Sequence, residues 1–235
     1  LMPTSRDPEQ RPVDVPGALL SIVGVGALVY AIIEAPEVGW AARETLAGLA
    51  VAVAGLGLFV WRELTARHPM LDLALFRDRR FGVATAGIGL TYFTLFGSFF
   101  LTAQFLQLVL GLSPFEAGLV QMPVSLTMLV VAPQVPRFVD RYGPRAVIAT
   151  GLLLVAMGMA VVTRFDEGTP AVVAAVAFVP TAVGIGATGA PLTALMMAAV
   201  PPARAGMGSA MNNASREVGG ALGVAILGTV LSARY

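Results

Sequence analysis

Hydroxyl and amide side chains repeat inside long uncharged stretches of this 235-residue chain. Thr91, Thr94, Ser98 and Thr102 follow one another at intervals of three, four and four, one face of a helix. Tyr92 stands beside that stripe, and Gln104 and Gln107 lie further along. A second face carries Thr181, Gly184, Thr188 and Pro191, and a third carries Ser209, Asn212, Arg216, Gly219 and Gly223, with Glu217 next to the arginine. Such groups exchange hydrogen bonds with a solute or a neighbouring helix; they do not make covalent chemistry. A nucleophilic or metal-assisted enzyme needs clustered His, Cys, Asp, Glu or Lys. The chain has no Cys and one His, so thiolate and Cys-metal chemistry are excluded. His68 sits alone in a polar connection, where a solvated side chain is the expected reading. Gly184 to Gly189 matches GxGxxG, but it lies mid-segment rather than between a strand and a helix, so the glycines read as close helix contacts. No metal or cofactor site is expected.

The stretches that hold these groups set the solvent. Seven runs carry no charge: 19 residues after Asp14, 17 after Glu44, 35 after Arg80, 20 from Ala117, 18 from Ala146, 36 from Gly168 and 16 from Val218. A hydrocarbon core about 30 Å thick takes roughly 20 helical residues. Charged residues are only 12% of the chain and hydrophobic ones 57%. Continuous apolar runs are helices that satisfy their own backbone, not alternating barrel strands. The expected fold is all-α: a polytopic membrane protein of about seven transmembrane helices. Membrane lipid is then the first partner, and a net charge of +1 points to no acidic or basic partner, nucleic acid included.

Arginine gives the orientation. With the N-terminus in the cytoplasm, 12 arginines fall inside and only Arg43, Arg164 and Arg234 outside. The 35-residue run reads as a span to about Leu110, a Gly111–Ser113 turn, and a new helix begun by Ser113-Pro114. The 36-residue run reads as one helix bent at Pro180 and Pro191, because two short spans would put Arg204 and Arg216 outside. For the hydroxyl stripe two readings stand: close helix packing, or the wall of a cavity. Arg216 and Glu217 likewise mark either the headgroup boundary or charges that face the bundle interior. The N-terminus, polar and then at once apolar, reads as a cut piece of something longer.

Four stretches resemble a known family. Phe138-Val139-Asp140-Arg141-Tyr142-Gly143-Pro144-Arg145 is similar to the D-R-x-G-[RK]-[RK] loop of the major facilitator superfamily. Pro69 to Arg77, Phe105 to Gly118 and Gly208 to Gly223 resemble its fourteen-span drug:proton antiporter branch, the EmrB/QacA-like exporters. Together they cover nearly the whole chain. The resemblance implies a C-terminal bundle lacking its last helix, with residues 1–13 a cytoplasmic tail, 14–62 an extra helix pair, 63–80 a cytoplasmic connection and 81–235 five helices of the bundle. It implies export of small hydrophobic or amphipathic compounds against protons, across a bacterial plasma membrane, together with a missing N-terminal bundle. No enzyme activity is expected. Asp140, Arg141, Gly143 and Arg145 would form the conformational loop, and Arg216 and Glu217 would couple or gate. Tyr92, Thr94, Ser98, Gln104, Gln107 and Thr188 would contribute to a substrate cavity. A non-transporting helical scaffold and a carrier of siderophores or metabolites remain the alternatives.

Overall fold

A computed structural model describes residues 14–66, 71–162, 164–165 and 169–232. The N-terminal tail, His68 and the acidic pair Asp166–Glu167 lie outside them. The described residues form α-helices and short 3-10 or π turns, without a strand.

The first hairpin joins α1 (Val15–Val38) to α2 (Arg43–Thr65). Asp14 caps α1 by accepting from the Gly17 N–H at 3.1 Å, and Pro16 takes the helix start, where a missing donor costs nothing. Gly24 and Gly55 let the two backbones close: a Cβ at Gly55 would lie 3.0 Å from the Gly24 Cα. Trp40 and Trp61 stand exposed at opposite ends of α2.

A 3-10 turn (Leu73–Arg77) leads to α3 (Arg79–Gln104), whose Asp78 cap accepts from the Arg80 N–H. A π-helical turn, Phe105–Val109, extends α3 and widens its last bonds to Leu110 N–H→Phe105 O (3.1 Å). Gly111 at φ 66° reverses the chain, and Ser113 with Glu116 forms a full capping box on α4 (Pro114–Val131). The Ser-Pro start read from sequence is therefore in place. After a 3-10 turn at Ala132–Gln134, α5 (Val135–Tyr142) prolongs α4, so this rod runs six residues past Pro136, the expected end of the fourth span. Gly143 at φ 80° ends it, and Pro144 opens α6 (Pro144–Val162).

The 36-residue run is not one continuous helix. It contains α7 (Ala171–Ala177) and α8 (Val179–Ala198), interrupted at Phe178. Pro180 lies in the first turn of α8, so the proline starts a helix rather than bending one; Pro191 stays inside α8. Last comes α9 (Ala205–Ser232), 28 residues without a break.

Among the described residues, six helices are long and apolar enough to cross a membrane. Their side chains are distributed inside out: Val53, Leu108 and Leu129 are more than 70% exposed, whereas Thr45, Thr91 and Thr188 are at most 1% exposed. In water that arrangement would be strongly unfavourable; in lipid it is the expected one. The chain is thus a multi-pass membrane protein. Helix α8 packs on α6, α3 and α4, α9 packs along α3, and α1 ties the first hairpin to α9. Phe81, Ile88, Leu192 and Met196 form the buried apolar cluster where α3 meets α8.

Candidate functional site on the α3–α9 face

The contact between α3 and α9 is made by backbone. An ideal Cβ at Gly219 would lie 2.3 Å from the Gly89 carbonyl oxygen, and one at Gly223 would lie 2.3 Å from that of Phe93. The small residues Gly219 and Gly223 thus allow a backbone-to-backbone crossing, as close as the one Gly184 makes with Gly151 between α8 and α6. Both contacts advance together along the two helices, so α3 and α9 run parallel. Beside the crossing, a groove of about 330 Å³ is lined by Gly89, Leu90, Phe93, Ser215, Val218 and Gly219, among others.

Arg216 rises from that crossing. Its guanidinium carbon lies 4.4 Å from the centre of the Tyr92 ring, a cation–π contact between the two helices. Tyr92 is thirteen residues past Arg79, about 20 Å of helix rise. The positive charge therefore sits near the middle of the Arg79–Val109 rod, yet Arg216 is exposed on the surface of this bundle. Glu217, next to it, is exposed as well. Asn212, one turn earlier, is buried and donates from Nδ2 to Thr193 Oγ1 at 2.9 Å, locking α9 to α8. Ser215 turns its hydroxyl back to the Met211 carbonyl.

The structure scatters the remaining cavity candidates. Ser98 is buried in a cleft between α3, α4 and α8, with Thr102, Gln121 and Thr181 on its walls. That cleft holds about 20 Å³, room for one water. Ser98 Oγ lies 3.4 Å from Met159 Sδ. Thr94 bonds its own helix at the Leu90 carbonyl. Thr188 is fully buried where α8 crosses α6: its methyl would meet a Cβ at Gly151 at 2.6 Å, and its hydroxyl donates to Ile185 O. It lines none of the cavities described here. Gln107 lies in the π turn, half-buried. Gln104 lines a different groove, between α1, α3 and α9, of about 760 Å³.

The loop residues Asp140, Arg141 and Arg145 are all exposed around the Gly143 turn. Asp140 makes no ion pair among the described residues. Arg141 lies 5.3 Å over the adjacent Tyr142 ring.

Three charged groups at the arginine-rich end carry contacts that sequence reasoning passed over. Asp14 takes a two-pronged contact from Arg62, whose Nε donates to its oxygens at 2.8 and 3.0 Å. That contact first, and the Gly17 N–H second, hold the Asp14 carboxyl below the ordinary aspartate range. Glu63 is buried and accepts from the Leu71 N–H at 2.7 Å, pinning the start of the α2–α3 connection. Asp72, in that connection, pairs with Arg204 between α8 and α9 and caps the Ala74 N–H. The available signal was the position of these groups at helix ends, where orphan backbone donors need acceptors.

Comparison with known proteins agrees with this architecture. The chain is 40% identical over 227 residues to the multidrug resistance protein Stp of Mycobacterium tuberculosis, covering 94% of this chain and 41% of that protein. It is 33% identical over 235 residues to the multidrug efflux pump LfrA of Mycolicibacterium smegmatis, covering 100% and 46%. With the lincomycin resistance protein LmrB of Listeria monocytogenes it shares 31% over 221 residues, covering 94% and 47%. The chain thus spans less than half the length of these relatives. The family model described as Major Facilitator Superfamily matches residues 14–224, and the chain belongs to that superfamily, among transporters rather than enzymes.

Proposed function

We propose that this chain is the C-terminal portion of a fourteen-span, proton-coupled exporter of hydrophobic or amphipathic compounds in a bacterial plasma membrane. The observation that carries the reading is Arg216, exposed halfway along a membrane-length helix pair. A charge left to lipid at that depth costs about 2.5–3.5 kcal/mol even on insertion scales. The α3–α9 face is therefore read as meeting water and a second bundle, as alternating access between two bundles requires. The names of the relatives, and the share of their length matched here, support the same reading.

In this reading seven helices span the membrane, with α9 the seventh. Residues 14–62 are the extra pair, 63–80 are cytoplasmic, and 81–235 supply five helices of a bundle whose sixth lies elsewhere. Tyr92 and Arg216 face the transport path, with Glu217 as a coupling or gating partner. Asp140, Arg141, Gly143 and Arg145 form the cytoplasmic loop that holds one conformational state. Asp140, exposed and without an ion pair among the described residues, is read as available to a charge on the other bundle.

The test is dye efflux from vesicles under an imposed pH gradient, with this chain alone and with it co-reconstituted with an N-terminal bundle from a relative. The chain alone should not transport, whereas the pair should, and a protonophore should abolish the signal. Robust efflux by the chain alone would overturn the two-bundle reading. Gradient-independent efflux by the pair would overturn proton coupling.

A further inference from the structure

We propose a lipid site at the turn between α5 and α6 that takes an anionic phospholipid, its phosphate on Arg141 and one acyl chain in the groove below. The groove encloses about 530 Å³ between the α4–α5 rod, α6 and α8. Val131, Val135, Val147 and Leu154 supply its wall, and Phe138 and Tyr142 frame its mouth. On α6 it runs from Ala146 to Leu154, about 12 Å of helix rise. On the rod it runs from Tyr142 back to Val131, about 16 Å. One leaflet of a hydrocarbon core about 30 Å thick is about 15 Å deep. The groove therefore matches the reach of a single acyl chain whose headgroup stands at the Gly143 turn.

Inside the groove the polar hydrogens are already spent. Gln134 Nε2 donates to the Val130 carbonyl at 2.8 Å, and Thr150 Oγ1 donates to the Ala146 carbonyl at 2.8 Å, each within its own stretch of helix. A solute with acceptors of its own gains nothing from them, whereas a methylene chain forfeits nothing. The mouth is different. Tyr142 is 58% exposed and Phe138 46%, with their rings stacked 6.4 Å apart. Tyrosine favours the boundary between hydrocarbon and water, which sets the mouth at headgroup depth.

The charges around the mouth select the headgroup. The Arg141 guanidinium lies against the Tyr142 ring, 5.3 Å from its centre, so its charge stands at the mouth itself. Arg137, one turn earlier on α5, and Arg145, in the first turn of α6, are exposed beside it. None of the three makes an ion pair among the described residues. Asp140 is the one carboxylate on this turn. Two residues from Tyr142, it lies on the far side of α5 from the groove. The helices packed against α5 and α6 bring no countercharge: α7 and α8 carry none, and Glu116 of α4 is held in the Ser113 capping box at the opposite end. The other described arginines of this end stand elsewhere. Arg62 and Arg204 are held by Asp14 and Asp72, and Arg77, Arg79 and Arg80 flank Asp78 where α3 begins, a helix that packs on α8 and α9. A zwitterionic lipid would bring a cationic group with no carboxylate to meet. An anionic lipid brings only the charge that Arg141 lacks. The site requires the Gly143 turn to lie at a membrane surface and nothing of the export reading.

The test uses two photoreactive lipids, a phosphatidylglycerol and a phosphatidylcholine with the same diazirine near the end of one acyl chain. Each is added at equal mole fraction to the whole chain in phosphatidylcholine nanodiscs. After illumination, phosphatidylglycerol should label the peptide around Leu154 about fivefold more than phosphatidylcholine, the factor expected for one arginine at an anionic headgroup. Arg141→Gln should bring the two yields within about twofold of each other, and Arg141→Lys should keep most of the preference. Arg77→Gln removes an exposed arginine of the same end, off the groove, and should leave the preference in place. Thr150→Trp, at an exposed groove position and checked for folding by its melting curve, should remove the label at Leu154 by filling the space. Equal labelling by the two lipids, or a preference that survives Arg141→Gln, would overturn the inference. So would an equal loss in Arg77→Gln, which would make the attraction a general one of this arginine-rich end. Displacement of the phosphatidylglycerol by soluble glycerol phosphate at matched ionic strength would overturn it too, because the site would then hold a free anion rather than a lipid. Label that persists in folded Thr150→Trp would place the acyl chain outside the groove and end the proposal. If vesicle efflux fails while the Arg141 dependence holds, the export reading fails and the lipid site stands; if coupled efflux holds while that dependence is absent, the reverse is true.

Discussion

Replacing Gly219 by alanine adds a single methyl group and, together with the same change at Gly223, should be among the costliest alanine substitutions on α9. The added Cβ would lie 2.3 Å from the Gly89 carbonyl oxygen and 2.9 Å from its carbonyl carbon and Cα. Ordinary contacts begin near 3.4 Å, so the two helices must part or rotate by about 1 Å. No flexible side chain can yield, because the obstructing atoms are backbone. Overpacking of this kind costs about 1–3 kcal/mol, and a backbone clash belongs at the upper end. The helix-forming advantage of alanine over glycine offsets about 1 kcal/mol, leaving a net loss of about 2 kcal/mol. Gly26 and Gly57 have nothing within 4 Å of their Cβ positions, so alanine there should stabilise by up to about 1 kcal/mol. Gly89 tests the geometry from the other side of the same crossing: its own Cβ position meets only the Ser215 carbonyl, at 3.7 Å, and Gly89→Ala should be tolerated. The assay is reversible unfolding of purified protein in mixed micelles, read by circular dichroism. If Gly219→Ala proves as stable as Gly26→Ala, the backbone-contact account of α3–α9 packing is wrong.

The remaining expectations concern the ends and the interior. Because Arg62 holds the Asp14 carboxyl below the ordinary aspartate range, its contribution is complete above that range and is lost as pH falls through the lowered folded-state value. Asp14→Asn should therefore flatten the acid limb of a Tm-against-pH curve, and parallel curves would contradict this. A double-mutant cycle on Asp72→Asn and Arg204→Gln should give a coupling of a few tenths to about 1 kcal/mol, since both side chains are partly exposed; strict additivity would show that the pair holds nothing together. Ser98→Leu should lower folded protein by about 1–3 kcal/mol, because the cleft beside Ser98 has room for only one water. A change in exported compounds at constant membrane level would instead return Ser98 to a substrate cavity. Cysteines placed at Arg141 and Val38, in a chain that has no cysteine of its own, should label from opposite sides of the membrane; same-side labelling would break the proposed topology.

Helix positions were legible because charge spacing reports the solvent directly. The Ser113 capping box and the Gly219–Gly223 contact were legible because each follows from what only those residues can do. The destination of the hydroxyl stripe was not. Thr91, Thr94 and Thr102 donate to the carbonyls of Gly87, Leu90 and Ser98 in their own helix, so their spacing is equally compatible with a cavity, a neighbour or lipid. The depth of Arg216 was hidden for another reason. The uncharged run begins only after Glu217, which suggests a boundary there, whereas α9 starts eleven residues before Arg216. Glu63 escaped notice because one acidic residue beside an arginine reads as surface; its burial depends on how the α2–α3 connection folds back over it.

The π turn at Phe105–Val109 amounts to a one-residue insertion in an otherwise regular rod. Everything after it is rotated by about 100° relative to an uninterrupted helix. A lineage that deleted one codon there would keep its reading of charge, hydropathy and length almost unchanged. Yet it would swing Leu108 and Val109 off the wall they share with Phe100 and displace the Gly111 reversal by the same angle. Between otherwise similar chains, a gap at this place would therefore mark a change of shape at this end of the bundle that substitution counts alone would miss.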